Sequence, residues 1–115
     1  KLSAELRNAD VELVRKELGT EFDMIVHEPD GILEIGQAGH SKASGIERLC
    51  ESLGIAKEDT YAFGDSANDV EMLEFVAHGI AMGNGTDVAK NAAEFITTDI
   101  HKDGIWNGLK HYGLI

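Results

Sequence analysis

From residue 42 onward, the sequence predicts an α/β fold in which a parallel sheet carries helices on its faces. The first observation is order: helix, strand, helix, strand, helix, strand, helix, an alternation that implies parallel strands joined by helical crossovers. The second is strand character. The runs at 60–63, 79–82 and 95–97 are short and apolar, with flanks that stop a strand. The third is the stretch YAFGDSANDVEML, residues 61–73, where a strand meets Gly64 and a polar loop opens a helix. In an open sheet of this kind, the crevice beyond the carboxyl ends of the strands is where ligands bind.

Taken in order, residues 3–18 read as a helix with Ser3 as N-cap. Leu6, Ala9, Leu13 and Val14 form its apolar stripe, and Gly19 stops it. Two strands are expected at 22–27 and 31–35, joined by Glu28, Pro29, Asp30 and Gly31. Proline presets its own φ and glycine accepts a positive one, so Pro-Asp-Gly is a turn with a mechanism. A polar loop at 36–42 leads to a helix over 43–53, whose buried face is expected to be Ile46, Leu49, Cys50 and Leu53. After the helix that follows Asp69, a strand at 79–82 ends in the turn Gly83-Asn84-Gly85, and a short helix runs to Ala92. A last helix, 102–112, sets Ile105, Trp106, Leu109 and Tyr112 on one side as core-facing residues.

Composition excludes several classes of function. The 115 residues suffice for one small domain, and an apolar share of 43% is enough for a packed core. Ten basic residues against 21 acidic ones leave a formal charge of −11, which argues against binding a phosphate backbone. No nucleic-acid partner is expected. No apolar run approaches the ~20 residues that span a bilayer, so no membrane partner is expected either, and a cytoplasmic location follows by default. Cys50 is the single cysteine, which rules out an internal disulfide. The five histidines lack zinc-ligand spacing.

The residues that can carry chemistry fall in three loops at one edge. Asp65 and Asp69 stand four apart around Ser66 and Asn68, and oxygen ligands of that kind suit magnesium. Ser66 and Asp69 equally fit a capping box, in which the acid only ties off helix amides. Both readings stand on the local pattern. Lys42 opens a helix, where amides and dipole also favour an anion. A cation beside an ammonium group and free amides is the equipment of phosphoryl transfer.

Over residues 31–115 the chain resembles the C-terminal part of a Cof-type hydrolase of the haloacid dehalogenase superfamily. The resemblance rests on GDSANDVEML at 64–73, the lysine at 42, AMGN at 81–84 and DGI at 103–105. It implies a three-layer, Rossmann-like core in residues 37–115, present in part, and the remnant of an α+β cap in residues 1–36. It further implies a magnesium-dependent phosphatase acting on a small phosphorylated metabolite. Asp65 would be a metal ligand, and Asp69 would complete the metal shell or orient its water. Lys42 would pair with nucleophile and phosphoryl group, Ser66 and Asn68 would touch phosphate, and Asn84 would brace the loops. Ala43 stands where the family commonly has glycine.

A larger departure concerns the nucleophile. The family's covalent chemistry uses an aspartate with a second aspartate two residues on, and no D-x-D occurs in these 115 residues. The chain is therefore read as a C-terminal portion, inactive by itself, that self-associates or pairs with a missing N-terminal portion. Two rivals remain: a non-enzymatic domain binding a metal or partner through the acidic loop, and a dinucleotide-binding half-domain. The second is disfavoured because Val88 occupies the third glycine position of that fingerprint.

Overall fold

The computed structural model describes residues 2–5, 8–27 and 31–115. The chain divides into two compact units, residues 1–40 and 41–115.

The first unit is an antiparallel sheet with one helix. Strand β1 (Leu2–Glu5), helix α1 (Asn8–Leu18), β2 (Phe22–His27) and β3 (Ile32–Gln37) follow in sequence, with β3 central. The expected helix over 3–18 is therefore corrected at its start. Ser3 faces Glu34 across a four-residue ladder from Leu2↔Ile35 to Glu5↔Ile32, and does not cap a helix. The free edge of β3 offers backbone partners that no local helix signal anticipates, and pairing in context overrides propensity. The stripe shifts as well. Among the described side chains of α1, Val11 is buried and Val14 and Leu18 are half-buried, whereas Leu13 is 58% exposed; the side chain of Ala9 lies outside the described ones. Leu6, like Glu28, Pro29 and Asp30 of the expected turn, lies outside the described residues; Gly31 takes the positive φ that the turn reading asks of it. Leu33, fully buried, sits opposite Val26 and Ala4 at the centre of this sheet.

The second unit has the expected α/β architecture. Helix α2 (Lys42–Leu53) leads to β4 (Tyr61–Gly64), α3 (Val70–Phe75), β5 (His78–Ala81), α4 (Asp87–Ala92), β6 (Phe95–Ile96) and α5 (Gly104–His111). The strands are parallel in the order β4-β5-β6, which makes β4 an edge. Ser41 caps α2 in a reciprocal box with Ser44, and Gly54 ends it with φ 67°.

Side chains of successive strand residues alternate between faces. Gly64 and Gly79 press against Leu73 of α3, so that face also carries Ala62 and Ala81. Phe63 and Ile80 point the opposite way and meet α5 at Gly108. The sheet is thus covered on both sides, and Leu73, Val76, Ile80, Ala81, Met82 and Ala89 form the core. Because small residues line the contact, helix and sheet approach at backbone distance.

Two expected faces are corrected. In α2, Ile46 and Cys50 are half-buried while Leu49 and Leu53 are 56% and 63% exposed. In α5, Ile105 and Trp106 are about half exposed, and Leu109 and Tyr112 half-buried. That helix seats itself through Gly104 and Gly108, which leaves its bulky residues flanking the contact. Among the described residues, no helix is long and apolar enough to cross a membrane.

A Cβ at Gly79 would lie 2.3 Å from the Leu73 carbonyl oxygen, a backbone atom that cannot step aside. Gly79→Ala is expected to destabilise the chain by about 3 kcal/mol in urea denaturation. Gly45, in the exposed interior of α2, has nothing within 4 Å of its Cβ position. Gly45→Ala is expected to stabilise by roughly 0.5–1 kcal/mol in the same measurement.

Candidate active site

The candidate site forms where β4 ends. Gly64, the last residue of the strand, leaves room for the Asp69 side chain to fold back; a Cβ there would sit 2.6 Å from Asp69 Cβ. Residues 67–69 make a single helical turn before α3, and Ser66, in extended conformation, stands at its head. Asp69 is buried, at 4% exposure. Its Oδ2 accepts from the backbone amides of Asp65 (2.9 Å) and Ser66 (3.1 Å), and Oδ1 is ion-paired with Lys42 Nζ.

Burial alone would raise the Asp69 pKa. The Lys42 ammonium and the two amides outweigh it, and hold the carboxyl below its ordinary value of 3.8. Asp69 thus caps the turn and seats Lys42 with the same carboxylate.

Asp65 presents the opposite situation. Its side chain is exposed in the depression and makes no hydrogen bond or ion pair with described residues. Its backbone is held on both sides: the amide by Asp69, the carbonyl by the Thr86 amide at 2.8 Å. Ser66 Oγ donates to Asn68 Oδ1 at 2.5 Å, which turns the Asn68 amide nitrogen away from that bond. Lys42, Asp65, Ser66, Asn68 and Asp69 line the polar side of the depression; Phe63, Met82, Ile100 and Ile105 line the other.

Five of the six expected site residues therefore converge on one depression. Asn84 lies outside it. Its Oδ1 accepts from the Ile100 amide at 2.9 Å, so it ties the turn after β5 to the segment carrying Ile100. The part of Thr86 in fixing Asp65 was not foreseen, since sequence marks Thr86 only as the head of α4. Ile100 carries no sequence signal of its own.

Magnesium prefers six oxygen donors. The exposed Asp65 carboxylate, with Ser66 and Asn68 oxygens close by in sequence, fits that preference in kind. It falls short in number, since no group of three or more His, Cys, Asp or Glu that could hold a metal occurs among the described residues. The depression is suited to part of a coordination shell, next to an ammonium group and the Asn68 amide nitrogen, which makes no hydrogen bond among the described residues.

Residues 1–109 match the family model of haloacid dehalogenase-like hydrolases. The chain belongs to that family. It is 54% identical over 78 residues to an uncharacterized protein of Geobacillus stearothermophilus, covering 68% of this chain and 82% of that one. A 5-amino-6-(5-phospho-D-ribitylamino)uracil phosphatase of Bacillus subtilis is 34% identical over 110 residues, 96% of this chain and 43% of the phosphatase. Among solved structures, a sugar phosphatase of subclass IIB of the superfamily superposes with a TM-score of 0.85 at 30% identity. That match takes in 98% of this chain and 43% of the other. The chain thus spans less than half the length of both phosphatases, and its fold is that of their haloacid dehalogenase-like architecture.

Asp69→Asn removes the charge that holds two amides and Lys42, and is expected to cost roughly 2 kcal/mol at neutral pH. Because the folded-state pKa of Asp69 is depressed, its contribution is full above the ordinary 3.8. It fades as pH falls through the lower folded value. Urea denaturation of wild type and variant across that range should show the two stabilities converging in acid.

Proposed function

We propose that this chain supplies the metal-and-lysine side of a magnesium-dependent phosphatase site for small phosphorylated metabolites. The observation that carries the proposal is Asp65: an exposed carboxylate without a hydrogen-bond or ion-pair partner among the described residues, at the end of β4, beside the Lys42–Asp69 pair. A strand-end carboxylate with its backbone fixed and its side chain free is suited to hold a cation. Membership of the hydrolase family and similarity to two phosphatases support phosphate-ester hydrolysis as the reaction.

In this proposal Asp65 and its neighbours contribute part of the magnesium shell, and the ion when bound neutralises charge on the phosphoryl oxygens. Lys42 places an ammonium against the phosphoryl group, held in position by Asp69 Oδ1. Asp69 itself orients the loop from behind and can reach the metal's water shell. Asn68 offers its amide nitrogen to phosphate oxygens, and Ser66, whose hydroxyl donates to Asn68 Oδ1, orients that amide; Ser66 reaches phosphate itself only if its hydroxyl turns away from Asn68. Asn84 keeps the Ile100 wall in place. The attacking aspartate and its acid–base partner come from outside these 115 residues, because no D-x-D pair is present. Residues 1–36 correspond to part of a cap and residues 37–115 to part of a core, and the protein works in the cytoplasm.

Two measurements test this. Calorimetric titration of the chain with Mn2+, a magnesium surrogate, should show binding that Asp65→Asn abolishes; no binding by wild type would overturn the metal assignment. With p-nitrophenyl phosphate and Mg2+, the chain alone should give no turnover above background. Turnover lost in Asp65→Ala would overturn the division of the site. Metal binding by a full-length protein devoid of phosphatase activity would favour the rival, non-catalytic binding domain.

A further inference from the structure

At the opposite end of the second unit's sheet, where β4 and β5 begin, lies a cluster of rings and titratable groups that the site does not use. His78, the first residue of β5, is stacked on Tyr61, the first residue of β4, with centroids 4.6 Å apart and planes at 25°. Tyr112, just past α5, packs against both, at 5.4 Å from Tyr61 and 4.9 Å from His78. Glu94, just before β6, closes the cluster. Its Oε2 lies 2.9 Å from His78 Nδ1 and accepts from Tyr112 Oη at 3.0 Å. His111 stacks face to face on Phe95 at 3.8 Å and meets Tyr112 edge-on.

We propose that His78 and Glu94 form a proton-operated clasp that docks the C-terminal end of α5 onto the sheet, tightest when the imidazole is protonated and the carboxylate ionised. A hydrogen bond between an imidazolium and a carboxylate is about twice as strong as its neutral counterpart. The imidazolium also gains a cation–π attraction to the Tyr61 ring on which it lies. Loss of the His78 proton removes the cation–π attraction and the ion pair, and leaves only a hydrogen bond from the neutral ring to the carboxylate. Glu94, no longer anchored to β5 by charge, then holds Tyr112 in place less firmly. Among the described residues, the titratable groups in contact with the His78 ring are Tyr61 from β4, Glu94 from the approach to β6, and Tyr112 from the end of α5. His111, a neighbour of Tyr112, adds a further attraction to Glu94. Lys110, one residue earlier, instead places its ammonium over Trp106.

Two directions agree with this geometry. The hydrogen bonds from His78 and Tyr112 hold the Glu94 carboxyl below its usual range. Burial, then Glu94, pushes the Tyr112 phenol up to about 12. The clasp therefore loosens in acid as Glu94 protonates and fails in strong alkali as Tyr112 ionises. Helix α5 begins beside Ile105 in the wall of the candidate site and ends at this clasp. The two features stand about 12 Å apart along one helix.

The test is an NMR pH titration of the whole chain from about pH 5 to about pH 9, a range that brackets ordinary imidazole titration. The backbone amides of Tyr112, Gly113 and Leu114 are expected to shift with the midpoint of the His78 ring protons. Glu94→Gln should abolish that transition, and His111→Gln should retain it. The proposal is overturned if those amides do not titrate, if they follow the His111 midpoint, or if Glu94→Gln leaves the transition in place. Should a variant fail to fold, agreement or disagreement of the wild-type midpoints decides the matter.

Discussion

One buried carboxylate organises the functional end of this chain. Asp69 accepts two backbone amides from its own loop and an ammonium from the helix that precedes the sheet. A carboxylate at 4% exposure is tolerable only because every partner arrives with a donor; removal of any of them would leave charge unpaired. The arrangement requires glycine at position 64, since any side chain there would stand in the place of Asp69. Strand end, loop and lysine are thus one mechanical unit, and Asp65 inherits its position from it.

The same reliance on close approach runs through the second unit. Gly79 lets α3 lie directly on β5, Gly83 lets the turn after β5 meet residues 97–99, and Gly108 lets α5 lie on Phe63. Packing of this kind buries backbone against backbone and leaves larger apolar side chains at the periphery. Trp106 is exposed for that reason, although its spacing in sequence is that of a buried stripe. Periodicity reports which residues share a face of a helix. It does not report which face meets the sheet when small residues make the contact.

In the structure the capping role falls to Asp69, with both oxygens engaged, whereas the Asp65 side chain makes no hydrogen bond or ion pair among the described residues. Spacing alone could not separate them, because a cap and a metal ligand ask for the same residue types at the same helix start. What separates them is Lys42, 27 residues away in sequence from Asp69 and joined to it in space.

The sequence by itself determined the order of elements from residue 42 onward, the loop that carries the acids, and the family. These follow from local signals: apolar runs, glycine stops, and a motif contained in ten consecutive residues. Only the tertiary structure decided that residues 2–5 form a strand, since that strand exists through its ladder with β3. It alone decided that Thr86 fixes the Asp65 carbonyl and that His78 and Tyr112 meet at the Glu94 carboxylate. In each of those cases the energy lies in contacts between residues far apart in the chain, and no window of sequence contains both partners.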